Sequence, residues 1–128
     1  MKENTLIDLS REFAVDIVKL CTAIQNKNRG NVLINQLLRC GTSIGANIHE
    51  GNYASSKADF INKFQIAIKE CYETEYWLGL FKEVGYISAE EHNSFYSKTS
   101  KLRKILATSI KTAKENLDKS KIKTTLNN

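Results

Sequence analysis

No proline interrupts the 128 residues of this chain. Apolar residues recur through most of it every three or four positions, the spacing that puts them on one side of a helix. Proline ends helices, so its absence beside long periodic runs argues for helices and against a turn-rich sandwich or barrel. A first helix is expected from about Thr5 to Asn26, with Leu6, Leu9, Phe13, Ile17, Leu20, Cys21 and Ile24 facing inward. The polar run from Asn26 to Asn31 breaks it, and a second helix follows from about Val32 to Glu50. Gly51 to Ser55 loosens the chain again. Ser56 can cap a third helix that runs to about Val84, where Gly85 supplies a residue able to take the left-handed conformation. Ser88 with Glu91 forms a capping box for a fourth helix reaching Asp118.

Short connections make consecutive helices antiparallel neighbours. The expected fold is an all-α, antiparallel up-down-up-down four-helix bundle over residues 1–118. Residues 119–128 are expected as a basic flexible C-terminal tail, with only Ile122 and Leu126 to bury against the entropy of ordering. One domain accounts for the length. No run approaches the roughly 18 consecutive apolar residues of a membrane span, and Met1-Lys2-Glu3-Asn4-Thr5 lacks the apolar core of a signal peptide. A cytoplasmic location without membrane contact is expected.

The stretch from Gln36 to Gly51 carries two ordered faces. Leu37, Gly41, Ile44 and Ile48 stack on one side, and Gln36, Arg39, Ser43, Asn47 and Glu50 form a polar column on another. Spacings of three and four residues let column members exchange hydrogen bonds. The column reads first as an internal or intersubunit network that fixes helix register, and second as a contact for nucleic acid or a partner protein. Gly41 and Gly45 form a Gly-x-x-x-Gly step suited to close helix packing.

This block, together with Ser10-Arg11-Glu12-Phe13-Ala14-Val15, Ser56-Lys57-Ala58-Asp59-Phe60-Ile61, Tyr76-Trp77-Leu78 and Gly85-Tyr86-Ile87, resembles a bacterial four-helix bundle family. Its members are proteins encoded by intervening sequences of 23S rRNA genes and accessory proteins of diversity-generating retroelements. The resemblance covers nearly the whole chain. It implies ring-like homopentamers and, for the retroelement group, docking on a reverse transcriptase.

Charge is distributed unevenly. Residues 98–128 hold nine basic and two acidic side chains, a net +7, and the remainder is −2 against a total of +5. Lys101, Lys104, Lys111 and Lys114, with Lys119, Lys121 and Lys123 in the tail, are the candidate contacts to a nucleic-acid backbone. The third helix carries more apolar surface than one stripe requires, with Ile66 and Trp77 to one side and Ile61, Ile68 and Tyr72 to the other. These five are the candidate oligomer interface.

Catalytic and metal motifs do not emerge. The residues three before His49 and His92 are Ala46 and Ala89, so neither histidine completes the Glu-x-x-His of a bundle metal site. Cys21, Cys40 and Cys71 are expected as reduced thiols, with Cys21 and Cys71 acting as small core hydrophobes. No cofactor, metal or enzymatic activity is expected. The sequence thus points to a homo-oligomeric bundle, pentameric by resemblance, that binds RNA or DNA through basic surfaces without sequence preference. The alternative is an oligomeric scaffold or accessory subunit of a reverse transcriptase or other nucleic-acid enzyme.

Overall fold

The computed structural model describes residues 5–27 and 31–127. Asn28 to Gly30 of the break expected from Asn26 to Asn31, the opening Met1 to Asn4 and the final Asn128 lie outside the described residues. Four helices follow one another: α1 (Thr5–Gln25), α2 (Asn31–Asn52), α3 (Lys57–Glu83) and α4 (Ala89–Asn127). Local chemistry sets the inner boundaries. The Ser56 hydroxyl accepts the Asp59 N–H at 3.1 Å at the start of α3. At the start of α4, Ser88 Oγ accepts the Glu91 N–H at 3.0 Å, and the Glu91 carboxylate accepts the Ser88 N–H at 2.9 Å. Gly85 follows α3 with φ of 80°, a conformation that strains side chains bearing a Cβ.

Cross-helix contacts fix the direction of each neighbour. Arg39 meets Glu70 and Glu73, whereas Glu50, eleven residues further along α2, meets Lys63, earlier on α3. Glu75 likewise meets Arg103, while Phe60 shares a groove with Thr112 and Ala113. α3 therefore runs opposite in sense to α2 and to α4. One apolar core runs through the bundle. Phe13, Ile17, Leu37, Ile44, Leu78, Phe81, Leu102 and Leu106 are shut off from solvent, each contributing about 1.5–3 kcal/mol by burial. The glycines of α2 bring α1 close. A Cβ on Gly41 would stand 2.9 Å from the Ile17 side chain, and one on Gly45 would stand 3.3 Å from the Ser10 carbonyl oxygen.

Two expectations need correction. First, α4 does not stop at Asp118 but continues as helix to Asn127, so residues 119–127 are not an irregular tail. Neither Gly nor Pro follows Asp118 to end the backbone pattern, and a helix satisfies its own hydrogen bonds without burial. At 1.5 Å per residue its 39 residues reach about 58 Å. Second, most of the α3 residues assigned to an oligomer interface serve their own bundle. Ile61 is 8% exposed in the core, and Ile68 and Trp77 pack against it. The reason is that α3 lies between two helices. Ile61, Ile68 and Tyr72 lie on its α4 side, with Glu75, and Ile66 and Trp77 lie on its α2 side, with Glu70 and Glu73. Two neighbours require a face wider than one stripe. Ile66 stays half-buried and Tyr72 57% exposed, the latter with the Arg103 guanidinium 4.7 Å from its ring centre.

Candidate nucleic-acid interface

The core stripe of α4, Leu102, Leu106 and Ile110, turns its opposite side to water. Lys101, Lys104 and Lys111 stand on that side, Lys114 on its flank, and Lys119, Lys121 and Lys123 follow where the helix passes the end of the bundle. All seven are exposed, and none enters an ion pair among the described residues. Two other cations of α4 are engaged. Lys98 reaches Asp16 of α1 at 3.0 Å, and Arg103 Nε donates to Glu75 of α3 at 2.7 Å, which holds the guanidinium even more firmly protonated. Unpaired ammonium groups along a helix are suited to replacing the counterions of a polyphosphate backbone.

The polar column of α2 behaves differently. Arg39 is held by Glu73 and by Glu70 at 3.5 Å, both on α3, and by Gln36 at 3.3 Å. Glu73 also accepts the Trp77 indole N–H at 3.1 Å, which ties this cluster to the core edge. Burial pushes the Glu70 carboxyl up from its ordinary range, against the opposing pull of Ser43 and Arg39. Ser43 Oγ donates to the Arg39 carbonyl at 2.6 Å, and Asn47 Nδ2 donates to the Ser43 carbonyl at 2.8 Å. Glu50 closes the column by accepting from Lys63 Nζ at 3.0 Å. Both charged members of the column, Arg39 and Glu50, thus pair with α3, while Ser43 and Asn47 bond to carbonyls of their own helix. The structure does not join Asn47 to Glu50.

Comparison with known proteins agrees with this architecture. Residues 2–108 match the 23S rRNA-intervening sequence protein family. The chain belongs to that family. It is also similar to a protein of unknown function from the S23 ribosomal protein family of Bacteroides thetaiotaomicron, known from a crystal structure. The two are 47% identical with a TM-score of 0.81, over 83% of this chain and 98% of that one. No curated protein matches the chain.

For a member of the 23S rRNA-intervening sequence protein family, one surface was missed by sequence reasoning. Ile7, Val15 and Val18 are each more than 40% exposed on α1. Positions 7, 15 and 18 recur at helical spacing, so they form a second stripe beside the core stripe. The groove beside it is lined by Ile7, Arg11 and Ala14 of α1 and by Thr42, Ala46 and His49 of α2. The spacing signal was present in the sequence, but apolar residues at helical spacing cannot be told from core until the neighbours of α1 are placed. Elsewhere, burial pushes the thiols of Cys21 and Cys40 up to about 11 and that of Cys71 to about 12. No group of three or more His, Cys, Asp or Glu able to hold a metal ion occurs among the described residues. No helix among them is long and apolar enough to cross a membrane.

Proposed function

We propose that this protein is a non-enzymatic, cytoplasmic homo-oligomer that binds RNA or DNA without sequence preference through the basic face of α4. The observation that carries the reading is the unpaired, exposed run of Lys101, Lys104, Lys111, Lys114, Lys119, Lys121 and Lys123 on one continuous helix. A ring of subunits, pentameric by resemblance, would repeat that face and multiply its affinity. The exposed stripe of Ile7, Val15 and Val18 supplies apolar surface for self-association.

Light scattering of the purified protein, alone and with a generic duplex or a structured RNA at low and moderate salt, tests both parts. The expected result is an oligomer that binds either nucleic acid in a salt-sensitive way. The combined changes Lys101→Glu, Lys104→Glu and Lys111→Glu should weaken binding on every sequence and flatten its salt dependence while the oligomer persists. Undiminished binding by that variant would sink the assignment. A second reading, a protein-interaction scaffold or accessory subunit of a nucleic-acid enzyme, is favoured by the α1 stripe if self-association leaves it uncovered. A stable oligomer that ignores both nucleic acids would select it.

A further inference from the structure

The family match stops at residue 108, yet α4 continues to Asn127. The Bacteroides relative is covered over 98% of its own length and leaves about a sixth of this chain unmatched. The end of α4 therefore lies beyond the family match. Leu117 is the last of its residues to pack against the core. Residues 118–127 extend beyond it for about 15 Å of helix. This overrunning arm, residues 118–127, holds three lysines and one acid, a net +2.

This arm has little to hold it to its own bundle. Ile122 is 60% and Leu126 79% exposed. Ser120, Ile122, Thr124 and Thr125 are indifferent or poor helix formers, and an isolated helix of this length is marginal in water. An arm of that kind gains order from whatever binds it. Its lysines also stand on opposed sides. Lys119 and Lys123 are one turn apart on one side, and Lys121, two residues from Lys119, lies about 160° around the axis with Lys114. A single row of cations suits an open surface, whereas opposed rows suit a groove with anionic walls. The major groove of B-form DNA is about 12 Å wide and admits one α-helix between two phosphate walls. The deep, narrow major groove of A-form RNA does not. An anionic membrane fits less well, because the apolar side of the arm is only Ile122 and Leu126, and Glu115 and Asp118 stand beside them.

Resting on the nucleic-acid reading above, we infer that the overrunning end of α4 is a DNA-gripping arm that lies in the major groove of duplex DNA and contacts both phosphate walls. It lies beyond the family match and supplies most of this chain's affinity for duplex DNA. Non-specific binding is expected, since the arm offers charge and not a set of base-reading side chains.

The test uses the full chain. Its binding to a 20-base-pair DNA duplex, to an RNA duplex of the same sequence and to phosphatidylserine-containing vesicles is measured across a salt series. A variant with Lys119, Lys121 and Lys123 all changed to Gln is compared with one that loses three exposed lysines of the body, Lys57, Lys69 and Lys82. The expected result is tighter binding of DNA than of RNA. The arm variant should weaken DNA binding by roughly tenfold or more and lower the slope of log K against log salt by about three. The body variant should change it by less than about threefold. Equal losses in the two variants would overturn the arm while leaving the basic-face reading intact. Equal affinity for RNA and DNA would overturn the groove assignment alone. Failure of the full chain to bind either duplex, or binding to vesicles only, would overturn both.

Discussion

Two helices carry ordered polar patterns and use them in opposite ways. The column on α2 is consumed within the fold: Arg39 by Glu70, Glu73 and Gln36, Glu50 by Lys63, Ser43 and Asn47 by backbone carbonyls. The lysines of α4 from Lys101 onward meet no carboxylate among the described residues. The difference lies in the neighbours. Alongside α2 stands a helix that presents Glu70, Glu73 and Lys63, whereas the outer side of α4 faces water and its end overruns the bundle. A polar stripe is structural or available according to what the next helix presents, and a helix's own spacing does not reveal that.

The largest effect comes from the dry side of the seam that the column covers. Cys40 follows Arg39, Cys71 follows Glu70, and burial holds both thiols protonated well above the ordinary value of 9.0, as it does Cys21. In the unfolded chain these thiols ionise near that ordinary value. Their contribution to stability is therefore complete below about pH 9 and lost as pH rises through about 11 for Cys21 and Cys40 and about 12 for Cys71. A tenfold change in the ionisation constant of one thiol corresponds to about 1.4 kcal/mol. Denaturant titrations from pH 8 to 11 should show stability falling steeply above pH 9. Thiol reagents should not label the native protein at pH 8. Rapid labelling there would mean that the seam is open.

Next comes the cation of α4 that behaves like those of α2. The Arg103 side chain is 18% exposed and that of its partner Glu75 10%. Arg103→Ala should cost about 3 kcal/mol, because it leaves Glu75 charged in a poorly solvated place. A loss below about 1 kcal/mol in urea denaturation would place this pair with ordinary surface pairs. Arg39→Ala should cost less, about 1 kcal/mol, since the Arg39 side chain is 50% exposed. Added salt should narrow the gap between Arg39→Ala and the parent protein. A gap that survives 1 M salt would point to packing and not charge.

How much was legible follows the same line. Ser56, Ser88, Glu91 and Gly85 each do their work within a few residues, so helix boundaries could be read directly. The inward stripes of α1 and α2 were legible for the same reason. Ile61 was misjudged because its place depends on α4 lying on that side of α3, a tertiary fact. The overrun of α4 was hidden because polarity predicts exposure, and exposure does not prevent helix. The exposed stripe of Ile7, Val15 and Val18 was visible as spacing but indistinguishable from core until α2 and α4 were placed.

The smallest effect sharpens the comparison most. Lys101 and Lys104 stand three apart, as do Lys111 and Lys114, and Lys119 and Lys123 stand four apart. Like charges at these spacings destabilise a helix by about 0.2–0.5 kcal/mol per pair. Removing one member should therefore help the fold, in contrast to Arg39 and Arg103, whose removal should harm it. Lys104→Ala is expected to be neutral or to stabilise by a few tenths of a kcal/mol, with the gain fading as salt is added, because alanine is the better helix former and one repulsion is relieved. Paired thermal melts at 20 and 500 mM salt would read this. A loss of about 1 kcal/mol would mean that Lys104 has an intramolecular partner and that α4 resembles α2 after all. A gain that disappears with salt would mean that the bundle keeps a mild self-repulsion along α4, which a polyanion relieves on binding and no contact within the fold requires.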